Sequence, residues 1–126
     1  MKTIYLCGPM SNIANLNRDE FALTAEKFRA EGFSVIVPYE LTEHLDLDPK
    51  RDYDKLMDID IAEMILKADV VVTLMGWETS NGANEEIQHA RLRKIPIVHI
   101  AKCINPEGKF DPAAVNNAIT TKEIAN

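Results

Sequence analysis

Short apolar runs alternate with helix-like segments along the chain, and this alternation constrains the fold more than any other feature. Thr3-Ile4-Tyr5-Leu6-Cys7 is the first such run and stops at Gly8-Pro9, so it reads as a buried strand. Phe33 to Val37 is a second, closed by Pro38. Asp69 to Leu74 contains Val70-Val71-Val72, a composition suited to a strand buried on both faces. Pro96 to Ala101 is the last.

The intervening segments carry helix signals. Asn17 is placed to cap a helix running to Glu31, with Phe21, Ala25 and Phe28 as its apolar stripe and Gly32 as its terminator. Asp54 to Lys67 and Ala83 to Arg93 are helical, and Asp111-Pro112 begins a last helix with proline at its first position. Residues 40–52, polar and acidic with Pro49 among them, read as a loop or irregular helix.

The order β-α-β-α-β-α-β-α implies an α/β fold with a parallel sheet covered by helices on both faces. The expected strand order is 2-1-3-4, flavodoxin-like (Rossmann-like), with a single domain spanning residues 1–126. Ligands in such sheets bind beyond the carboxyl ends of the strands, where the strand order reverses. The loop after the first strand (Gly8 to Asn17) and the loop after the third (Met75 to Gly82) should therefore form one site.

Composition narrows the partners. The formal net charge is −6 and no basic run is present, which argues against nucleic acid, whose binding rests on Lys and Arg neutralising phosphates. No apolar run is long enough to span a membrane, and Met1-Lys2 leads straight into a strand without a signal-peptide pattern, so a cytoplasmic protein is expected. Cys7 and Cys103 show no metal spacing and read as buried free thiols. His44, His89 and His99 are scattered and form no metal pattern.

The candidate chemistry lies in the two switch-point loops. In the second, Gly76, Ser80, Asn81 and Gly82 precede a helix start, where free backbone N–H groups accept an anion; ordinary capping by Ser80 or Asn81 is the plainer reading. Glu85 and Glu86 fall near the first turn of that helix, whose dipole would keep a carboxylate ionised, as a nucleophile requires. Periodicity does not decide between them. Trp77, the one tryptophan, could stack on a base or pack against the domain. The first loop offers Gly8, Pro9, Ser11, Asn12 and Arg18, and the strand before it Tyr5, whose phenol wants a partner when buried. Arg18 opposes the dipole of its helix, a mild conflict that favours contact with an anion. Asp58, Asp60 and Glu63 lie on the helix before the third strand, where a solvated acidic face is the default.

These residues form an ordered set. Ile4-Tyr5-Leu6-Cys7-Gly8-Pro9-Met10, then Asp60 ahead of Ala68-Asp69-Val70-Val71, then Ser80-Asn81-Gly82-Ala83-Asn84-Glu85-Glu86 and Ala90, resemble the nucleoside 2-deoxyribosyltransferase superfamily over about the first four-fifths of the chain. Gly8-Pro9-Met10 and the segment Gly76-Trp77-Glu78-x-Ser80-x-Gly82-Ala83 look like a subgroup of uncharacterised phage and bacterial proteins. The resemblance implies a flavodoxin-like fold and no cofactor or metal. It implies Glu86 as nucleophile, four residues after Gly82, with Tyr5 hydrogen-bonded to it and Asp60 assisting the leaving base, Asp58 and Glu63 being the alternatives. The transferases acting on free nucleosides carry aspartate where this chain has Ser80; the related deoxynucleoside 5′-monophosphate N-glycosidases carry serine, which contacts phosphate. A small deoxynucleotide or deoxynucleoside is thus the expected partner, with the monophosphate preferred. Gly8, Pro9, Met10, Arg18, Trp77, Ser80, Asn81 and Gly82 are the expected binding residues. A homodimer or larger assembly is implied, and residues 104–126, which match nothing, could complete a neighbour's site.

Overall fold

A computed structural model describes residues 1–10 and 13–125; Ser11 and Asn12 of the first loop lie outside the described residues. The strands are β1 (Thr3–Cys7), β2 (Ser34–Ile36), β3 (Val70–Thr73) and β4 (Ile97–His99). All pair in parallel, in the order β2-β1-β3-β4, the flavodoxin-like order expected from sequence. The helices are α1 (Arg18–Ala30), α2 (Pro38–Thr42), α3 (Tyr53–Lys67), α4 (Asn81–Leu92) and α5 (Ala113–Ala125).

Alternation along β1 divides the core. Ile4 and Leu6 face one side with Val70 and Val72, against Phe21, Ala25 and Phe28 of α1 and Val115 and Ile119 of α5. Tyr5 and Cys7 face the other side with Val71, against Met64 of α3 and Ala83, Ile87 and Ala90 of α4. Helices therefore cover both faces. The buried cluster of the first side is aliphatic and aromatic apart from Cys103. The second places a phenol and a thiol beneath α4.

Several boundaries differ from the sequence reading. The second strand is one residue shorter at each end than expected, Val37 takes the N-cap position of the helix that follows, and Pro38 opens α2 at a position where its missing N–H costs nothing. The helix before β3 starts at Tyr53, one residue earlier than expected, and α4 starts at Asn81, two residues earlier. Asn17 precedes α1 as expected but makes no side-chain cap: it is left-handed (φ 61°), and its amide donates to the Pro9 carbonyl at 2.9 Å. It ends a run of three left-handed residues, Asn15, Leu16 and Asn17, in the loop after β1. The last strand is short, and Ile100–Cys103 forms a 3₁₀ turn instead of extending it. Both cysteines are buried and free. No helix of the described residues is long and apolar enough to cross a membrane.

Candidate active site

A cavity of about 1010 Å³ opens at the carboxyl ends of β1 and β3. Gly8, Pro9 and Met10 line it from the first loop and Ser80, Asn81 and Gly82 from the second, so the two switch-point loops do form one site. Gly8 permits this convergence: a Cβ there would lie 2.9 Å from the Cβ of Leu74, the residue after β3. Leu74 N–H also donates to the Cys7 carbonyl at 2.8 Å, tying the ends of the two central strands together.

Glu86 sits at the cavity floor with 5% of its surface exposed, whereas Glu85, also on the wall, is exposed. Burial thus separates two neighbours that periodicity left open. The Tyr5 hydroxyl donates to Glu86 Oε2, and the Cys7 thiol lies 3.4 Å from Oε1 and 3.5 Å from the Ala83 carbonyl. Both carboxylate oxygens are therefore held by side chains of one strand, two residues apart on the same face. Cys7 was legible only as a buried thiol; its place beside Glu86 depends on α4 packing over β1.

The ionisation of Glu86 differs from the dipole expectation. Because α4 begins at Asn81, Glu86 lies in the second turn, past the reach of the helix terminus. Burial pushes its carboxyl up to about 8, against the pull of the Tyr5 and Cys7 hydrogen bonds and helped by the nearby Asp60. Burial raises the Cys7 thiol and the Tyr5 phenol as well, and the Glu86 charge adds to both. Each remains a protonated donor.

Asp60 is 8% exposed and lines the cavity, and one of its oxygens, Oδ1, is buried without a hydrogen-bond partner. Burial pushes it up to about 7. Asp58 is exposed and Glu63 pairs with Lys67 at 2.9 Å, so neither alternative reaches the cavity wall.

Ser80 caps α4, its Oγ accepting from Ala83 N–H at 3.1 Å. The capping reading is therefore correct, and it leaves the hydroxyl proton free to donate. The N–H groups of Asn81 and Gly82 donate to no acceptor among the described residues, and both residues line the cavity.

Two expected binding residues are elsewhere. The Arg18 guanidinium is 3.2 Å from Glu43 and stacks 4.7 Å from the centre of the Tyr39 ring, so the anion that offsets its unfavourable helix position is the chain's own. Trp77 is half-buried against Tyr5's side of the core and is not on the cavity wall. His99 pairs with Thr73 at 2.9 Å, while His44 and His89 are exposed. No group of metal-ligating side chains is clustered among the described residues. Sequence reasoning missed Tyr53, whose hydroxyl is buried, unpartnered and on the cavity wall.

Comparison with known proteins gives the chain a family and a fold. The chain belongs to the family described as "Domain of unknown function (DUF4406)", which matches residues 2–99. No curated protein sequence matches it. Among solved structures it is similar to a 2-deoxyribosyltransferase from the psychrotolerant bacterium Bacillus psychrosaccharolyticus, at 17% identity and TM-score 0.60, covering 92% of this chain and 81% of that one. It is also similar to a conserved protein from Enterococcus faecalis V583, at 24% identity and TM-score 0.55, covering 79% of this chain and 62% of that one, under two thirds of its length. The fold is the one that the resemblance to the nucleoside 2-deoxyribosyltransferase superfamily implies.

Proposed function

We propose that this protein cleaves the N-glycosidic bond of a 2′-deoxynucleoside 5′-monophosphate through a covalent deoxyribosyl ester on Glu86. The observation that carries the reading is the convergence of Tyr5 and Cys7 on the two oxygens of a buried carboxyl at the floor of the cavity. An isolated buried carboxylate is costly; two donors aimed at it favour the anion and fix its direction of attack. Glu86 attacks C1′, the bond to the base nitrogen breaks, and its electron pair leaves with the base. Asp60, raised to about 7, supplies a proton to that nitrogen. Water, deprotonated by Asp60, then attacks C1′ and releases Glu86; a second base in place of water gives transfer.

The Ser80 hydroxyl and the free N–H groups of Asn81 and Gly82 support a phosphate on C5′. One observation favours a second reading, a transferase on free deoxynucleosides. The cavity wall carries the carboxyls of Asp60, Glu85 and Glu86 and no Lys, Arg or His among the described residues. A phosphate there would be met by neutral donors alone.

The test is base release from a panel of deoxynucleosides and their 5′-monophosphates, with and without an acceptor base, comparing the wild type with Glu86→Ala. Release from monophosphates that is lost in the variant supports the proposal. Release from free nucleosides only with an acceptor supports the transferase. Binding without release from any member leaves a nucleotide-binding module and overturns both enzymatic readings.

A further inference from the structure

Among the described residues, two buried side-chain polar atoms have no hydrogen-bond partner, Tyr53 Oη and Asp60 Oδ1. Both belong to α3 and both line the cavity, with Met57 between them on the same wall. Seven residues of helix separate them by about 10 Å at 1.5 Å per residue. Buried polar groups in folded proteins are nearly always paired with protein, water or ligand, so two such atoms on one stripe, facing one cavity, are placed to bond whatever fills it. Asp60 is accounted for by the leaving base. Tyr53 is not used by the reaction.

The position of Tyr53 tells which end of the substrate it meets. Its hydroxyl is 3.4 Å from where a Cβ on Gly82 would lie, and Met57 Sδ is 3.5 Å from the same point. Gly82 is two residues after Ser80, at the start of α4. Tyr53 thus stands beside the start of α4, with the Ser80 hydroxyl and the unpaired N–H groups of Asn81 and Gly82, while Asp60 lies about two turns further along α3 and acts on the ionisation of Glu86. We propose that Tyr53 is a substrate-binding residue whose hydroxyl donates to the oxygen substituent on C5′ of the sugar, beside Ser80, Asn81 and Gly82. The assignment rests on the nucleoside reading of the site and deepens it.

The residue is held for this role. Asp48 and Asp52, in the segment leading into α3, bond reciprocally: Asp52 Oδ2 accepts from Asp48 N–H at 2.9 Å, and Asp48 O accepts from Asp52 N–H at 2.8 Å. Asp48 Oδ1 also accepts from the N–H groups of Lys50 and Arg51, each at 2.8 Å. Arg51 pairs with Asp52 and, with the Asp48 N–H, holds that carboxyl down at about 2. Tyr53 follows directly. Its phenol is raised by burial, by the charges of Glu85, Glu86 and Asp54 and by the approach of the exposed Glu85 carboxylate, which keeps the proton on the oxygen as a donor. Phenylalanine would fill the same space without leaving an orphan.

The experiment compares binding by Glu86→Gln with binding by the double variant Tyr53→Phe, Glu86→Gln, so that no turnover intervenes. The probes are 2′-deoxyadenosine, its 5′-monophosphate and 2′,5′-dideoxyadenosine, with the corresponding cytosine, guanine and thymine series. Loss of one neutral hydrogen bond should weaken the C5′-oxygenated probes by about 3- to 10-fold and leave the 5′-deoxy probe unchanged. A loss confined to the monophosphate assigns the contact to phosphate; a loss confined to the nucleoside assigns it to the hydroxyl. The Tm of Tyr53→Phe should stay close to that of the wild type, because the hydroxyl has no well-formed bond within the fold. Equal weakening of all probes, or no weakening, overturns the assignment of Tyr53 while leaving the nucleoside reading intact. Failure of every probe to bind Glu86→Gln overturns both this assignment and the nucleoside reading.

Discussion

Tyr5 and Glu86, 81 positions apart, are joined by a buried hydrogen bond that links the central strand of the sheet to the second turn of α4. Burial and the Glu86 charge both raise the phenol well above its ordinary value. It serves as a fixed donor that orients one carboxylate oxygen.

Tyr5→Phe should therefore lower kcat for base release by about 10- to 100-fold with KM little changed, the loss expected for a hydrogen bond to a charged group. The Tyr5 bond lowers the Glu86 pKa, so its removal should also move the Glu86 ionisation to higher pH. Steady-state kinetics against pH would show both effects. A variant with unchanged kcat would remove Tyr5 from the machinery.

The two raised carboxyls predict a bell-shaped activity profile. The productive state has Glu86 ionised and Asp60 protonated; with Asp60 at about 7 and Glu86 at about 8 it is the less populated of the two singly protonated forms, and both forms rise and fall with pH together. Activity should peak between those values, falling at lower pH as both carboxyls hold protons and at higher pH as the pair loses its last one. A flat profile from about pH 5.5 to 9.5 would contradict this assignment of roles.

Stability should fall as pH rises through the same range. The folded carboxyls of Asp60 and Glu86 bind protons more tightly than their unfolded counterparts near 4. Their contribution is complete below the unfolded value and is lost as pH rises through about 7 to 8. Chemical denaturation should therefore show lower stability at pH 8.5 than at pH 5.5, by on the order of a few kcal/mol. Glu86→Gln, which cannot ionise, should reduce that dependence to the part carried by Asp60.

Ser80 separates capping from charge. Ser80→Ala removes the acceptor for Ala83 N–H and should destabilise by about 1 kcal/mol. Ser80→Asp keeps a good cap but places a negative charge where the phosphate is proposed to bind. It should hold stability and shift kcat/KM from monophosphates toward free nucleosides. Equal effects on the two substrate classes would remove Ser80 from phosphate recognition.

Gly8→Ala tests the close approach of the loops. Its Cβ would lie 2.9 Å from the Leu74 Cβ, a backbone-fixed atom that cannot rotate away. A loss of about 1–3 kcal/mol in thermal or denaturant unfolding is expected. Unchanged stability would show that the central strands can part at this end.

The sheet order, the two loops and the cavity they share were legible because strand composition and the switch-point rule are local or topological facts. The identity of the buried glutamate was legible only by resemblance, since the helix start was placed two residues late and Asn81-Gly82 looked like loop. Weak helix formers are tolerated in a first turn that Ser80 caps. Arg18 misled for a related reason: its conflict with the helix dipole is real, but Glu43 and the Tyr39 ring, from the segment after β2, relieve it. The partnership of Cys7 with Glu86 and the orphan hydroxyl of Tyr53 depend on how α3 and α4 pack over the sheet. No single stretch of sequence contains that information.

The alternation along β1 has a consequence for how this chain can vary. Even-numbered residues Ile4 and Leu6 serve the apolar side, and odd-numbered residues Tyr5 and Cys7 serve the reactive side. Stability and chemistry are thus assigned by parity within one five-residue strand. Substitutions at even positions should be tolerated when they conserve volume, without reaching the site. A one-residue insertion or deletion that shifted the register would exchange the two sets, turning the phenol and thiol into the wrong core and pointing two aliphatic side chains at Glu86.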